Sequence, residues 1–103
     1  MSASSFQLDT NPYTVAVLDV STGHITAQDV ESLKKEDCTV IAYEYEYGYF
    51  VYLSEDLSYS RKEHPNFSTS FLNILKRARK LHCKYVQFDA DGTIYNDLTF
   101  HIW

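Results

Sequence analysis

The chain is poor in the residues that build cross-linked or metal-bound domains, with two cysteines, two prolines and three glycines among 103 residues. Cys38 and Cys83 cannot supply a disulfide framework, and their spacing is not that of a zinc site. The chain also lacks an apolar run of membrane-spanning length, and Met1–Thr10 has neither the basic start nor the apolar centre of a signal peptide. We therefore expect a cytoplasmic protein with reduced thiols, no metal or cofactor and no contact with a membrane.

Positive charge is scarce in most of the chain, and the formal net charge is −5. Residues 1–66 contain 11 acidic and 4 basic side chains, and residues 85–103 contain 3 acidic and no basic ones. The exception is residues 67–84, with 5 basic side chains and no acidic one. An acidic protein is a poor general binder of nucleic acid and is attracted to basic surfaces. The charge pattern therefore favours a basic protein partner.

The rest of the composition is that of an ordinary globular domain, with 45% hydrophobic and 22% charged residues. A chain of this length is one domain by the usual prior. Residues 1–12 are Ser-rich and polar, so we predict a flexible N-terminal tail followed by a single domain over residues 13–103. Aromatic side chains make up 16% of the chain, and nine of them are tyrosines. Tyrosine is common on surfaces that are half apolar and half polar.

Apolar and alternating runs predict strands that are joined by two helices. Tyr13–Val20 is apolar at both odd and even positions, which is typical of a central strand covered on both faces. Thr26 and Ser68 are the predicted helix N-caps, and Asp29 follows Thr26 at the spacing of a capping box. The predicted elements are strands at 13–20, 38–46, 49–53 and 85–89, a helix at 27–36, and a second helix with an apolar stripe of Phe71, Ile74, Leu75, Ala78 and Leu81.

The order strand, helix, strand, strand, helix, strand is the split β-α-β pattern of ferredoxin-like domains. We therefore predict an α+β two-layer sandwich with the first and third strands in the middle of the sheet. Asp91-Gly92 between two β-rich runs indicates a tight hairpin turn with positive φ at both residues. That turn predicts an extra C-terminal hairpin strand at 93–95, followed by an alternating closing segment.

Residues Asp89 and Asp91, in the stretch "FDADGT", resemble the first motif of haloacid-dehalogenase phosphatases, in which the first aspartate attacks phosphorus. Such an enzyme also needs a downstream lysine and further acidic residues on later strands, and no Lys or Arg follows Lys84. A turn accounts for both aspartates, since short motifs often match by chance. We expect a protein that is not an enzyme, and a phosphatase centred on Asp89 and Asp91 is a remote alternative.

The stretch "YEYEYGYFVYL" at residues 43–53 is the most unusual part of the sequence. In a two-layer sandwich, Val40 and Ala42 suit the helix-covered side, which leaves Tyr43 and Tyr45 for the open side. Exposed aromatic rings on a sheet are typical of a binding surface, and a homodimer through this face is one alternative. Cross-strand packing of tyrosines explains the pattern equally well. The predicted partner-binding residues are Tyr43, Glu44, Tyr45, Glu46, Tyr47, Tyr49 and Tyr52.

Two nucleic-acid alternatives have weaker support. Gly48-Tyr49-Phe50-Val51-Tyr52 partly resembles an RNA-binding strand motif, but it lacks the small residue between the aromatics, so its rings point to opposite faces. The second predicted helix carries Lys76, Arg77, Arg79 and Lys80, which could contact DNA or an acidic protein. Such a run is more often the solvated side of an amphipathic helix.

His24, in "STGHIT" after the first strand, is the most site-like of the four histidines. Loops after central strands often carry function. A local hydrogen-bonding role for Ser21, Thr22 and His24 is the favoured interpretation, because nothing in the sequence shows which side chains they meet.

Several segments together resemble a family of small bacterial proteins of unknown function that are found on plasmids and prophage-like islands. The segments are "STGHIT", "YEYGYFVYL", "FSTSFLNILKRARKLHCKYVQFDADG" and a C-terminus that ends in Trp103. The likeness extends from about Leu18, and residues 98–103 depart from the family in lacking a Leu-Pro pair. The resemblance implies a setting on mobile DNA and supplies no catalytic residues.

By analogy with other small acidic proteins from that setting, we expect an interaction or inhibitor protein. Its partner would be a host protein with a basic surface, such as a restriction or CRISPR complex of the host defence. This expectation combines the acidic charge, the Tyr-rich strands and the resemblance.

Overall fold

A computed structural model describes residues 14–103 of the chain. The N-terminal tail that we predict for residues 1–12 lies outside the described residues. The elements are β1 (Val17–Ser21), a one-turn 3-10 helix (Thr22–His24), α1 (Ala27–Leu33), β2 (Ile41–Tyr45), β3 (Gly48–Tyr52), α2 (Thr69–Lys80) and β4 (Tyr85–Asp89). The α+β class and the order of the main elements are therefore confirmed. No helix within residues 14–103 is long and apolar enough to cross a membrane.

The four strands form one mixed sheet in the order β1-β4-β3-β2. β1 pairs with β4 in parallel, whereas β4 with β3 and β3 with β2 pair antiparallel. The ferredoxin-like arrangement is therefore not confirmed, because β4 rather than β1 lies beside β3 in the middle of the sheet.

The first strand is an edge strand although its sequence is apolar at both parities. Val20 is fully buried, whereas Val15 and Val17 are 55% and 39% exposed on the opposite parity. β4 takes the central position because it pairs with β1 on one side and with β3 on the other, and its inward residues Val86 and Phe88 are fully buried. An apolar residue can lie on a partly exposed face, so the parity pattern alone did not identify the central strand.

The predicted C-terminal hairpin strand is absent, and residues 93–103 run as an irregular segment. β4 has β1 on one side and β3 on the other, so no free edge remains to pair with a returning strand. The turn at the end of β4 is closed by Gly92 N–H donating to the Asp89 carbonyl at 2.9 Å. No glycine within residues 14–103 has positive φ, so the predicted turn type is also wrong. Gly92 is needed for a different reason, because a Cβ there would lie 2.5 Å from the Val20 carbonyl oxygen.

The core lies between the helices and one face of the sheet. Phe67 stacks on Phe71 with ring centroids 4.2 Å apart, and Phe71 stacks on Phe88 at 5.5 Å. This stack joins the start of α2 to the centre of the sheet. Sheet and helix each contribute five buried residues to this core. They are Val20, Tyr49, Val51, Val86 and Phe88 from the sheet, and Phe71, Leu72, Ile74, Leu75 and Ala78 from α2.

The N-termini of both helices meet at one buried carboxylate. Asp29 Oδ2 accepts the Thr26 N–H at 2.9 Å, and the Thr26 hydroxyl accepts the Asp29 N–H at 3.0 Å, which is the predicted capping box. The same carboxylate accepts the N–H and the hydroxyl of Ser68, the N-cap of α2, at 2.7 and 2.6 Å. Asp29 is fully buried. The first turn of α1 is therefore joined to the start of α2, and α1 ends at Leu33, earlier than predicted.

The C-terminus of α2 ends in a left-handed residue that is not glycine. His82 has φ 62°, and the Cys83 N–H donates to the Ala78 carbonyl at 2.9 Å. These features form a Schellman motif, which normally carries glycine at this position. Leu81, which the sequence pattern assigned to the apolar stripe, is 56% exposed because the helix has already ended.

Candidate protein-interaction surface

The sheet face opposite the helices has no described element packed over it, and we call it the open face. Its residues alternate with the buried ones along each strand, as the pleat of a sheet requires. Most are exposed or only partly buried, in contrast to Val51, Val86 and Phe88 on the other side. The open face consists of Val17, Asp19, Ile41, Tyr43, Tyr45, Phe50, Tyr52, Tyr85, Gln87 and Asp89.

The strand register arranges these residues in rows across the sheet. One row is Ile41, Tyr52, Tyr85 and Val17, which is wholly apolar or aromatic. The next row is Tyr43, Phe50, Gln87 and Asp19, which becomes polar toward β1. The open face therefore has an aromatic region on β2 and β3 and a polar corner near β1.

The aromatic rings of the open face contact one another across the strands. The ring centroids of Tyr45 and Phe50 are 5.0 Å apart, and those of Tyr52 and Tyr85 are 5.4 Å apart. Phe50 and Tyr85 pack edge to face, with their ring centroids 6.4 Å apart. Such cross-strand pairs each stabilise a sheet by a fraction of a kcal/mol. The predicted tyrosine packing is therefore present, but it leaves Tyr43 56% exposed and Ile41 49% exposed.

The polar corner is organised by the Tyr45 hydroxyl. It donates to Asp89 Oδ2 at 2.5 Å and accepts from Gln87 Nε2 at 2.9 Å. The pKa of the Asp89 carboxyl is held below its ordinary value, mainly by the hydrogen bond from Tyr45 and secondly by the one from the Asp91 N–H. The pKa of the Tyr45 hydroxyl is raised, mainly by burial and secondly by its hydrogen bond to Asp89. Asp89 is therefore an anion that is already hydrogen-bonded on both oxygens.

A second carboxylate, that of Asp19, lies at the same corner. Its Oδ2 accepts the N–H and the hydroxyl of Thr93 at 3.1 and 2.7 Å. Both Asp19 and Asp89 act electrostatically on the Tyr45 hydroxyl. The polar corner therefore carries negative charge beside the aromatic region.

The structure divides the seven predicted partner-binding residues. Tyr43, Tyr45 and Tyr52 lie on the open face, and exposed Tyr47 contacts the Tyr45 ring from the β2–β3 turn at 6.4 Å. Tyr49 does not belong to this surface, because it points to the helix side and is 5% exposed in the core. The two glutamates are exposed but off the open face: Glu44 is on the opposite parity of β2 and Glu46 is in the turn.

Several open-face residues were not selected from the sequence. Phe50 and Tyr85 complete the aromatic region, and Asp19 and Gln87 join Asp89 at the polar corner. Phe50 was detectable from parity alone, because it alternates with Tyr49 and Val51. Tyr85 and Asp19 come from distant parts of the chain, so only the strand order brings them to this face.

The basic side of α2 is partly occupied by contacts within the protein. Arg77 forms a two-pronged contact with Asp97, at 3.2 and 2.6 Å, and this bond is the main cause that raises the pKa of the guanidinium. Arg79 donates to the carbonyl oxygens of Ser54 and Glu55 at 3.1 and 3.3 Å. Among the described residues, only Lys76 and Lys80 of the four predicted cations show no such partner. The nucleic-acid alternative on α2 is therefore not favoured.

The aspartates of the phosphatase-like motif stabilise a turn. Asp89 Oδ1 accepts the Asp91 N–H at 2.7 Å, which is an Asx-type turn. Within residues 14–103, no three His, Cys, Asp or Glu side chains group closely enough to hold a metal ion. The interpretation that this protein is not an enzyme stays a prediction.

His24 fastens the C-terminal segment to the domain. It is 1% exposed, its Nδ1 lies 2.8 Å from the Thr99 carbonyl oxygen, and its Nε2 accepts the Tyr95 N–H at 2.8 Å. Phe100 packs edge-on against the imidazole at 5.5 Å. The favoured hydrogen-bonding interpretation of His24 fits these contacts, although its partners lie more than 70 residues away.

Residues 14–103 define a small α+β domain in which no described element covers the aromatic face of the sheet. A family model described as the C-terminal domain of a family of unknown function (DUF5983) matches residues 17–103, so the chain belongs to this family. The resemblance to a family of unknown function is thereby confirmed. Neither a curated protein nor a solved structure matches the chain.

Proposed function

We propose that this protein is a non-enzymatic interaction protein whose open face binds the basic surface of another protein. The observation that carries the proposal is the exposure of large apolar side chains on the open face, where Ile41 is 49% and Tyr43 56% exposed, with exposed Tyr47 beside it in the β2–β3 turn. A continuous apolar patch of this kind on a small domain is typical of an interaction site. Tyrosine supplies contact area at low cost in side-chain entropy.

The charges around the open face favour a basic partner. The face itself contains the carboxylates of Asp19 and Asp89 and no Lys or Arg. A partner arginine lying on the Tyr43 or Tyr52 ring would gain a cation–π contact, and carboxylates at the polar corner would add charge attraction. The same carboxylates would repel the phosphates of a nucleic acid.

We extend the proposal to the setting that the family resemblance implies. A protein of a plasmid or prophage-like island would meet host proteins, and those that handle nucleic acid have basic surfaces. Host defence complexes such as restriction or CRISPR assemblies are therefore the partners that we propose to test first. A homodimer through the open face is the competing outcome.

The proposal is tested by capturing a partner from a bacterial host lysate and then measuring its affinity for purified variants. We expect Tyr43→Ala and Tyr85→Ala each to weaken binding by tenfold or more, because both remove rings from the open face. Ile102→Ala is the matched control, since Ile102 is 95% exposed but lies in the C-terminal segment. Thermal melting verifies that each variant is folded.

Two outcomes would contradict the proposal. One is a purified partner that binds both tyrosine variants as tightly as the unchanged protein. The other is a protein that sediments as a dimer and becomes a monomer on Tyr43→Ala, because the open face would then be covered by a second copy.

A further inference from the structure

The two edges of the sheet differ in how they are protected. At the β1 edge, the Ser21 N–H donates to the Thr93 carbonyl at 2.8 Å and the Thr93 N–H donates to Asp19. The C-terminal segment therefore lies along that edge. At the β2 edge, no backbone bond within residues 14–103 joins Ile41–Tyr45 to any strand other than β3.

Within residues 14–103, β2 has few of the features by which proteins usually discourage strand addition. Edge strands are commonly blunted by short length, charged side chains, proline, a bulge or a covering element, and of these β2 has its five-residue length and the charge of Glu44. β2 reads Ile-Ala-Tyr-Glu-Tyr, and its pairing with β3 is unbroken from Ile41 to Tyr45. Its five residues present an edge about 17 Å long, whose outward N–H and C=O groups have no backbone partner among residues 14–103.

The two sides of β2 have different chemistry. Ile41, Tyr43 and Tyr45 belong to the open face, so a neighbouring strand would place alternate side chains beside apolar and aromatic groups. On the other parity, Ala42 is small and Glu44 is exposed. A strand added here would therefore meet apolar side chains on one face and a carboxylate on the other.

A second carboxylate reinforces the acidic side. Burial is the main cause that raises the pKa of the Tyr49 hydroxyl, and the charges of Glu44 and then Glu31 add to it, so both carboxylates act on the same hydroxyl. Glu31 also makes a long contact of 3.8 Å with Lys34. That pair is exposed and weak, so it leaves the side acidic.

We propose that β2 receives an extended segment of the partner as a fifth strand, and that this segment alternates apolar and basic side chains. The inference rests on the proposed function, because it specifies how the basic partner is recognised. The apolar side chains would continue the aromatic rows of the open face, and the basic ones would face Glu44. Backbone bonds to the edge would provide affinity and the alternation would provide specificity.

The test uses the full chain and a fluorescent nine-residue peptide of alternating valine and lysine at micromolar concentration. The comparison peptide has the same composition in two blocks, which keeps the charge but removes the alternation. We expect the alternating peptide to bind at least tenfold more tightly, as measured by fluorescence anisotropy. Equal binding of the two peptides would mean simple charge attraction and would overturn the inference.

Backbone pairing is tested with two N-methylated peptides, one methylated at every valine and one at every lysine. Alternate residues of a strand direct their N–H groups to opposite edges, so only the valines or only the lysines of the peptide can donate to β2. We therefore expect one of the two methylated peptides to lose affinity tenfold or more and the other to retain it. If both retain binding, or if the unmethylated alternating peptide does not bind at low salt, the inference is wrong.

Glu44→Lys should lower the affinity for the alternating peptide at least fivefold. Glu55 is an exposed acidic residue near the end of α2, and Glu55→Lys should change this affinity less than twofold. The native partner separates this inference from the proposed function. A partner that is lost on Tyr85→Ala, two strands away from the edge, but bound normally by Glu44→Lys would preserve the proposed function and refute strand addition at β2.

Discussion

At the scale of single residues, His24 links parts of the chain that are far apart in sequence. Its two ring nitrogens have backbone partners at Thr99 and Tyr95, and Phe100 covers the ring. Because Nε2 accepts the Tyr95 N–H, Nδ1 carries the proton and the imidazole is neutral in this arrangement. His24 is therefore a buried attachment point of the C-terminal segment, in addition to the bonds of Thr93 to Ser21 and Asp19.

His24→Leu is expected to destabilise the protein by about 2–4 kcal/mol, because it removes a buried imidazole and leaves the partly buried Tyr95 N–H and the Thr99 carbonyl without these partners. Urea unfolding measures the loss. Hydrogen exchange should also accelerate at the Tyr95 and His101 amides, since both belong to the fastened segment. His82→Asn is the control, with an expected change below about 0.5 kcal/mol, because asparagine tolerates the left-handed conformation. Unchanged exchange at Tyr95 would show that His24 does not hold the segment.

His82→Gly is expected to stabilise the protein by about 0.5–1 kcal/mol. His82 is exposed with φ 62°, a conformation that costs an L-residue energy and costs glycine little. The greater freedom of glycine in the unfolded chain offsets part of the gain. Thermal melting measures the difference, and Lys76→Gly in the interior of α2 should instead lower the stability by about 1 kcal/mol. A lower melting temperature for His82→Gly would contradict the assignment of the helix end.

At the scale of elements, the two helices are connected through Asp29. Its carboxylate accepts three bonds from Thr26 and Ser68, so each helix N-terminus gains from the same anion. α1 has seven residues, too short to be stable by its own propensity. Its position therefore depends on this junction and on the packing of Leu33.

Asp29→Ala is expected to destabilise the protein by about 3 kcal/mol, since it removes the capping-box partner of Thr26 and leaves the partly buried Ser68 N–H unpaired. Asp29→Asn should cost less, because one amide oxygen still accepts a hydrogen bond. Asp37→Asn, at an exposed aspartate after α1, is the matched control and should be nearly neutral. Denaturant unfolding compares the three, and a neutral Asp29→Ala would exclude the junction as a source of stability.

The end of β4 should make the protein sensitive to acid. The pKa of the Asp89 carboxyl is lowered in the folded state by the Tyr45 hydroxyl, so the folded protein binds this proton less readily than the unfolded chain. The stabilisation is therefore present above the ordinary aspartate pKa and is lost as the pH falls through the folded value. Asp89→Asn should flatten the fall in melting temperature below about pH 4. An identical acid profile for the two proteins would contradict this.

At the scale of the whole molecule, both helices lie on one side of the sheet, and this places the aromatic rows on the other. Parity along β2 correctly predicted that Tyr43 and Tyr45 face away from the helices. The same reasoning missed the burial of Tyr49, because the predicted site was taken from a continuous stretch of sequence rather than from one face. The strand order then added Tyr85, Gln87 and Asp19, which no local pattern connects to β2.

The sequence by itself determined the α+β class, the order of the elements and the caps at Thr26 and Ser68, because these depend on side-chain period and on bonds between residues a few positions apart. The tertiary structure alone decided that β4 is central, that β1 and β2 are edges and that no strand follows β4. Those features depend on which strands pair across long stretches of chain. Strands pair through backbone N–H and C=O groups that nearly every residue carries, so the local side-chain period does not specify which strands become neighbours.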